Sequence, residues 1–348
     1  MSGFESLINQ ERPVRILTTL LQNGTLPHAL LFTGAEGVGK QAAADALAMA
    51  CNCQGAIPEF HAEDRSDQDP ANSSGAIRAL RVIACGECKS CRKIAAGNHP
   101  DIIRIKPTGH FIKIDQIRAL LQTLAMKPYE AITRLAIISE AQSMNAAASN
   151  ALLKILEEPP HRSMLVLIAN QKSDLLPTIV SRCQHVGFNP IPKEIIAAWL
   201  EKKHGLEQPA ADILAAMANG SLSKAQMMIQ DNWLLHRNWL IAELDDLSQQ
   251  PIARLLALAE RLSKQEGRLA ESLEIIKVWL RDQIVGQYDA SKIINRDVAD
   301  KIENASHKNN RIELLSKVDA VQKTQNRLAA NTNLRLTMER LLIQLAQT

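Results

Sequence analysis

A glycine-rich stretch near the N-terminus, Thr33–Gln41, has the residue types of a phosphate-binding loop. Small residues let successive backbone N–H groups curl around phosphate oxygens, and Lys40 supplies a point charge for the outer phosphates. The glycines of the motif are Gly34, Gly37 and Gly39. Because an apolar run precedes the stretch and a helical pattern follows it, we predict a nucleotide-binding fold. The alternative is a glycine-rich turn that merely joins a strand to a helix.

Two positions that normally hold Mg²⁺ in such a fold are altered. The motif usually ends in Ser or Thr, whose hydroxyl binds the metal, but here it ends in Gln41. The predicted strand 135–138 should be followed by a metal-binding Asp, and Ser139 and Glu140 stand there instead. Because both changes affect the same ion, we predict that the chain does not hydrolyse nucleotide efficiently, while Lys40 leaves nucleotide binding open. The alternative is a self-sufficient ATPase in which Glu140 and backbone groups restore the metal site.

Four of the six cysteines have the spacing of a metal site. Cys85, Cys88 and Cys91 are three residues apart, so a tight turn can direct all three thiols at one tetrahedral Zn²⁺, with Cys53 or Cys51 as the fourth ligand. An iron–sulfur run would continue to a further Cys followed by Pro, and this one does not. Four thiolates leave no open coordination position, so we predict a structural zinc; the alternative is a set of unligated thiols.

The composition describes a folded chain that carries no strong charge. Its 348 residues are 46% hydrophobic, which is enough for two or three domains with sizeable cores. A net charge of +3 and an aromatic content of 3% argue against a dedicated nucleic-acid-binding module. The first residues lack a signal-peptide pattern and no run of about 18 apolar residues occurs, so we expect a soluble cytoplasmic protein. In that compartment zinc explains the clustered thiols better than disulfides do.

Apolar runs alternate with amphipathic stretches in the first half of the chain. We read strands at 29–32, 102–105, 135–138 and 164–169, with Asp115 and Asn145 as N-caps of the helices that follow them. The polar stretch 54–84 predicts a flexible surface insertion. From residue 190 onward the apolar spacing is helical throughout. We therefore predict an α/β P-loop domain with a parallel sheet over 1–189, a small helical lid over 190–232 and an all-α domain over 233–348.

Several motifs together resemble the clamp-loader branch of the AAA+ ATPases. They are Gly34–Lys40, the thiol cluster, Ser149–Pro160 and Ser181–Cys183. Within that branch the chain is similar to the non-motor subunits of the bacterial DNA polymerase III clamp loader, over residues 1–225 and more weakly over the rest. The resemblance implies that the last domain is an oligomerising collar, and that the partners are gamma/tau and delta subunits, with the sliding clamp and primer-template DNA reached through the complex.

The same resemblance implies roles for particular residues. Arg182 would be an arginine finger that points at ATP held by a neighbouring subunit, and the zinc ligands would be Cys53, Cys85, Cys88 and Cys91. Where motor subunits carry a nucleotide-sensing Arg in the lid, this chain has Ser223. These features imply a bracing subunit of a polymerase holoenzyme that holds structural zinc, with ATP or ADP bound at most and not hydrolysed. The alternatives are a gamma/tau-like ATPase and a zinc-bearing DNA-binding module.

Overall fold

The computed structural model describes residues 3–55, 84–245, 247–329 and 332–347. The predicted insertion at 54–84 lies outside the described residues except for its ends. The chain divides into two compact units. One consists of Met1–Pro192 with Gly220–Ser223, and the other of Lys193–Asn219 with Lys224–Thr348. The helices predicted for the lid and for the collar therefore fall almost entirely within the same unit.

The first unit is built on a parallel five-stranded sheet in the order β2-β3-β4-β1-β5. The strands are β1 (Ala29–Thr33), β2 (Ile102–Ile105), β3 (Arg134–Ile138), β4 (Ser163–Ala169) and β5 (Gln184–Gly187). The parallel sheet is as predicted. Strand β5 was not predicted from the sequence, because only one of its four residues, Val186, has a large apolar side chain.

Helices cover both faces of the sheet. They are α1 (Glu11–Gln22), α2 (Lys40–Asn52), α3 (Lys89–Ala95), α4 (Ile114–Ala125), α5 (Ala146–Glu157) and α6 (Pro177–Val180). Successive residues of β1 point to opposite faces. Leu30 and Phe32 join the core that contains residues of α1, α2 and α3, while Ala29 and Leu31 join the core beneath α4, α5 and α6. Burial on both faces explains why the strand is an unbroken apolar run.

The two predicted N-caps had different outcomes. Asn145 caps α5 as predicted, since its side chain accepts a hydrogen bond from the backbone N–H of Ala148. The prediction for Asp115 was wrong, because α4 begins at Ile114, so Asp115 lies inside the helix. The N-cap is Lys113, and its backbone N–H donates to the side chain of Gln116. Asp115 lies in the first turn, where its charge still favours the positive end of the helix dipole.

All the regular secondary structure described in the second unit is helical. Its helices are α7 (Lys193–His204), α8 (Gln208–Ala218), α9 (Leu222–Gln230, whose first two residues belong to the first unit), α10 (Trp233–Asp245), α11 (Ile252–Lys264), α12 (Glu266–Gly286), α13 (Ala299–Lys308), α14 (Arg311–Ala329) and α15 (Leu334–Ala346). Short 3₁₀ turns lie at Phe4–Ser6, Ala141–Ser143, Lys172–Asp174, Leu247–Gln249, Ala290–Lys292 and Arg296–Val298.

The C-terminal helices pack through the apolar positions that the sequence indicated. Helix α12 contacts α10, α11, α13 and α14, and α15 packs on α11 and α14. The predicted contact positions are buried: Leu255, Leu258, Leu262, Leu269, Leu273, Ile276 and Leu280. Among the described residues, no helix is both long and apolar enough to cross a bilayer.

A buried ion pair fixes the loop between α4 and β3. The fully buried carboxylate of Asp101 accepts hydrogen bonds from the backbone N–H groups of Tyr129, Glu130 and Ala131 at 2.8–2.9 Å and from the Arg134 guanidinium at 2.7 Å. Arg134 in turn donates to backbone carbonyls at the end of α4. The pair therefore caps a helix end and sets the start of β3.

Substituting Asp101 tests how much the first unit depends on this pair. Asp101→Asn leaves the Arg134 charge buried without its partner, so we expect the free energy of unfolding to fall by about 3–5 kcal/mol. In the matched control, Asp115→Asn, the side chain is 84% exposed and lies 3.8 Å from Arg118, so the change should stay within about 0.5 kcal/mol. Urea unfolding of both variants gives the comparison, and equal losses would contradict the assignment.

The pH dependence of stability should separate the same two variants. Burial raises the pKa of Asp101, but the backbone N–H groups of Glu130 and Tyr129 and the Arg134 guanidinium together lower it well below its ordinary value of 3.8. The carboxylate therefore stabilises the fold above about pH 4, and this contribution is lost as the pH falls toward the depressed folded-state pKa. Asp101→Asn should lack that part of the acid-induced loss, and Asp115→Asn should keep it.

Candidate functional site

The carboxyl ends of three neighbouring strands meet at the phosphate-binding loop. The loop leaves β1 at Gly34, whose N–H donates to the carbonyl of Asn170 at the end of β4, and Ser139 follows β3 on the other side of β4. Because parallel strands bring their carboxyl ends to one edge, residues distant in sequence meet there. This is the edge where open parallel sheets bind ligands.

The loop glycines take conformations that other residues rarely adopt. Gly34, Gly37 and Gly39 have φ angles of +148°, +74° and +106°. A Cβ on Gly37 would come within 2.0 Å of the Ser221 hydroxyl, and one on Gly34 within 2.5 Å of the Phe188 carbonyl oxygen. The glycines are thus required both by backbone angle and by close approach, which fits a nucleotide-fold loop better than a generic connecting turn.

Lys40 lies inside the loop. It is 6% exposed, and its Nζ donates to the carbonyl oxygens of Gly34 and Ala35, the latter at 2.6 Å. Burial lowers the pKa of Lys40, and the charge of Glu36 partly offsets that effect. The ammonium group is therefore held by the acceptors of its own loop.

The two altered magnesium positions contact each other directly. The Ser139 hydroxyl donates to the side-chain oxygen of Gln41 at 2.8 Å. The Gln41 amide nitrogen lies 3.5 Å from both carboxylate oxygens of Asp45, and Asp45 accepts a 2.8 Å hydrogen bond from Arg104. The only oxygen that Gln41 offers as a metal ligand is therefore engaged by Ser139. Sequence spacing identified both positions but gave no sign that they would bond to each other.

Residues of the predicted lid lie on the phosphate-binding loop. The backbone N–H of Ser223 donates to the Gly37 carbonyl at 3.3 Å, and the Ser221 side chain lies where a Gly37 side chain would be. Both serines belong to the first unit together with the loop. The family resemblance places the nucleotide-sensing Arg of motor subunits in this segment. Here the residue is Ser223, which contacts the loop through its backbone N–H.

The four predicted zinc ligands lie together. The sulfur atoms of Cys53, Cys85, Cys88 and Cys91 are all within 4.8 Å of one another. Zn–S bonds of about 2.3 Å at tetrahedral angles would put such sulfurs roughly 3.8 Å apart, so the donor set fits a four-thiolate metal site. Cys51 is buried in the core on the α2 face of the sheet and lies outside this cluster.

Backbone N–H groups surround the sulfurs. The N–H of Cys85 donates to the Cys53 sulfur at 3.3 Å, that of Cys88 to the Cys85 sulfur at 3.3 Å, and that of Cys91 to the Cys88 sulfur at 3.4 Å. The N–H groups of Cys88 and Glu87 lower the pKa of Cys85 to about 6, while burial raises the pKa of Cys91. A bound divalent cation would favour the thiolate at all four positions.

Helix α2 joins the two candidate sites. It begins at Lys40 in the phosphate-binding loop and is followed directly by Cys53 at its C-cap, a rise of roughly 20 Å over 13 residues. Arg104 adds a second connection, because it bonds both Asp45 on α2 and the carbonyl of Ile94 on α3, the helix that carries Cys91. The thiol cluster is therefore rigidly tied to the helix that presents Lys40.

Arg182 lies at the surface after the short helix α6. Its side chain is 38% exposed, with Nη2 at 3.0 Å from a carboxylate oxygen of Glu157 and Nη1 donating to the Thr178 carbonyl at 3.1 Å. Sequence reasoning singled out Arg182 but missed Glu157 as its partner. The available signal was the pair of carboxylates, Glu157 and Glu158, at a helix end that disfavours negative charge.

Two family models match the chain, one over its N-terminal part and the other over its C-terminal part. The model described as DNA polymerase III, delta subunit matches residues 9–68 and 70–192. The model described as DNA polymerase III, delta subunit, C terminal matches residues 231–347.

Individual relatives give the same result. DNA polymerase III subunit delta' of Bacillus subtilis (strain 168) is 30% identical over 347 residues, which cover 97% of this chain and 96% of that protein. The delta' subunit of Pseudomonas aeruginosa is 30% identical over 334 residues, 92% of each chain. The tau subunit of Bacillus subtilis is 29% identical over 231 residues, which cover 65% of this chain and 37% of tau. The chain is thus similar to the delta' subunits over nearly its full length and to the tau subunit over only part of its length.

Proposed function

The chain belongs to the family of DNA polymerase III delta' subunits, and we propose that it braces the AAA+ ring of the clamp loader and donates Arg182 to ATP held by a neighbouring gamma/tau-type subunit. In this role it helps to place the sliding clamp on primer-template DNA during replication in the cytoplasm. Its contacts with the delta subunit, the clamp and the DNA are made through the complex. Its own nucleotide site does no hydrolysis.

The accessibility of the Arg182 guanidinium carries this proposal. An arginine finger must reach out of its own chain, and a side chain 38% exposed at the end of a helix satisfies that requirement. A guanidinium has five N–H donors, whereas the side chain of Arg182 makes one local hydrogen bond, to the Thr178 carbonyl, and one ion pair, with Glu157, so donors remain for phosphate oxygens. A cation fixed against developing phosphoryl charge accelerates phosphoryl transfer by roughly 10³- to 10⁵-fold.

Removing the guanidinium tests the finger. In the reconstituted clamp-loader complex, Arg182→Ala should remove most of the ATP turnover that comes from the one site Arg182 contacts. The complex should still assemble. Arg118→Ala is the matched control, because Arg118 is an exposed arginine on α4 with a 3.8 Å contact to Asp115. Steady-state ATPase and size-exclusion chromatography provide the measurements. Unchanged turnover in an intact Arg182→Ala complex would remove the proposed role.

The contact between Ser139 and Gln41 supports a non-motor role over the runner-up, a gamma/tau-like ATPase. Serine brings no charge to a metal, and the Gln41 oxygen is already bonded. The runner-up is tested because the chain is also 29% identical to a tau subunit over 65% of its length.

An activity assay on the isolated chain separates these two functions. We expect no Mg²⁺-dependent ATP hydrolysis above background, because the metal has lost both protein ligands. The comparison variant is Gln41→Thr combined with Ser139→Asp, which restores a hydroxyl and a carboxylate at the metal positions and should introduce Mg²⁺ dependence in nucleotide affinity. Hydrolysis by the unaltered chain that Lys40→Ala abolishes would favour the runner-up.

We also propose that the thiol cluster holds one structural Zn²⁺ on Cys53, Cys85, Cys88 and Cys91. The cation would neutralise the thiolates and join the end of α2 to α3, and four thiolates would leave it no open position for chemistry. Cysteine ligation favours zinc or iron–sulfur centres over harder cations. The absence of the Cys-Pro continuation disfavours the iron–sulfur reading.

Metal analysis of the purified full chain tests the zinc. We expect one zinc per chain, lost in Cys88→Ser and kept in the matched control Cys183→Ser, because Cys183 lies outside the cluster. Chelation should lower the unfolding temperature of the unaltered chain and leave that of Cys88→Ser unchanged. Iron with visible absorption, or full zinc content in Cys88→Ser, would contradict the assignment.

A further inference from the structure

A carboxylate at the end of α5 lies beside Arg182. Glu157 is the last residue of the helix, where the unsatisfied carbonyl groups make the environment negative. A carboxylate in that position is destabilising unless a cation offsets it. The Arg182 guanidinium supplies that cation, with Nη2 at 3.0 Å from the Glu157 carboxylate.

The two groups that contact the guanidinium, the Glu157 carboxylate and the Thr178 carbonyl, belong to helices that are anchored in the core. Ala148, Leu152, Ile155 and Leu156 anchor α5 in the core, so the backbone at Glu157 is fixed. Thr178, whose carbonyl accepts from Nη1, precedes the fully buried Ile179 on α6. Helices α5 and α6 also pack against each other. The guanidinium is therefore held at two of its nitrogens by elements that the core fixes.

The ion pair between Arg182 and Glu157 matters more for the orientation of the guanidinium than for the stability of the fold. Glu157 is 53% exposed, and ion pairs of that kind contribute little to stability. An arginine side chain has several rotatable bonds, and fixing them before the phosphate arrives reduces the entropy lost on binding. A misplacement of about 1 Å can cost roughly 100-fold in rate, so orientation outweighs the small stability term.

We propose that Glu157 is a positioning residue for Arg182: its carboxylate holds the exposed guanidinium in place for the phosphates of the neighbouring subunit's ATP. The inference rests on the proposed function, because it assigns Glu157 a role only through the arginine finger. It also accounts for one of the two acidic residues at the end of α5.

The experiment compares two adjacent carboxylates in the reconstituted complex. Glu157→Gln keeps the side-chain shape but removes the charge, and we expect it to lower kcat for the Arg182-dependent part of ATP turnover about tenfold without changing KM. Glu158→Gln is the matched control and should leave turnover unchanged. Glu157→Asp should restore part of the loss, because the charge returns on a shorter side chain. Thermal unfolding and complex assembly should be the same for all of these variants.

A double variant separates this inference from the proposed function. In the Arg182→Ala background Glu157→Gln should cause no further loss, since it acts only through the guanidinium. If Arg182→Ala lowers turnover and Glu157→Gln leaves it unchanged or raises it, the positioning role of Glu157 is wrong, while the arginine-finger role of Arg182 is retained. A rise would mean that Glu157 restrains the finger. If Arg182→Ala changes nothing, both proposals fail together.

Discussion

The hydrogen bond between Ser139 and Gln41 is the contact that sets this phosphate-binding site apart from that of a hydrolysing P-loop fold. In a hydrolysing P-loop fold those two positions face each other across a magnesium ion. Here a hydroxyl and an amide oxygen meet at 2.8 Å and satisfy each other. Parallel strands deliver both residues to the same sheet edge, so the two positions that would hold Mg²⁺ are joined by an internal polar contact.

This contact belongs to a larger polar chain that ties the phosphate-binding loop to the thiol cluster. Gln41 approaches Asp45 one turn along α2, Asp45 accepts from Arg104, and Arg104 reaches the carbonyl of Ile94 on α3. A motor subunit must let its nucleotide site change with each turnover, whereas these bonds connect the site to a second anchored element. The arrangement suits a subunit whose part is to hold its shape while its neighbours change theirs.

The sequence predicted well the features that depend on local pattern. Unbroken apolar runs located four strands, and the Asn145 cap, the glycine spacing and the apolar positions of α11 and α12 all agree with the structure. Strand β5 was missed because its place is set by pairing with β1 and not by its own composition. Asp115 was taken as a cap from residue type alone, and Lys113 took that position through the neighbouring Gln116 side chain. The Arg182–Glu157 and Ser139–Gln41 contacts join residues 25 and 98 positions apart. The sequence drew attention to the separate residues, but it does not show which of them pair in the fold.

The two cationic side chains that the sequence singled out, Lys40 and Arg182, differ in exposure and in the local contacts they make. This difference bears on which of them can bind phosphate more easily. Lys40 is 6% exposed and donates to its own loop carbonyls, so a phosphate would have to displace charge-assisted hydrogen bonds, each worth roughly 1.5–3 kcal/mol, before it gained the ammonium. Arg182 is 38% exposed and makes one local hydrogen bond and one ion pair, so further N–H donors stay available. Binding phosphate at Arg182 therefore disrupts little, while binding it at Lys40 disrupts the loop. This asymmetry agrees with the proposal that Arg182 acts on ATP held by a neighbouring subunit.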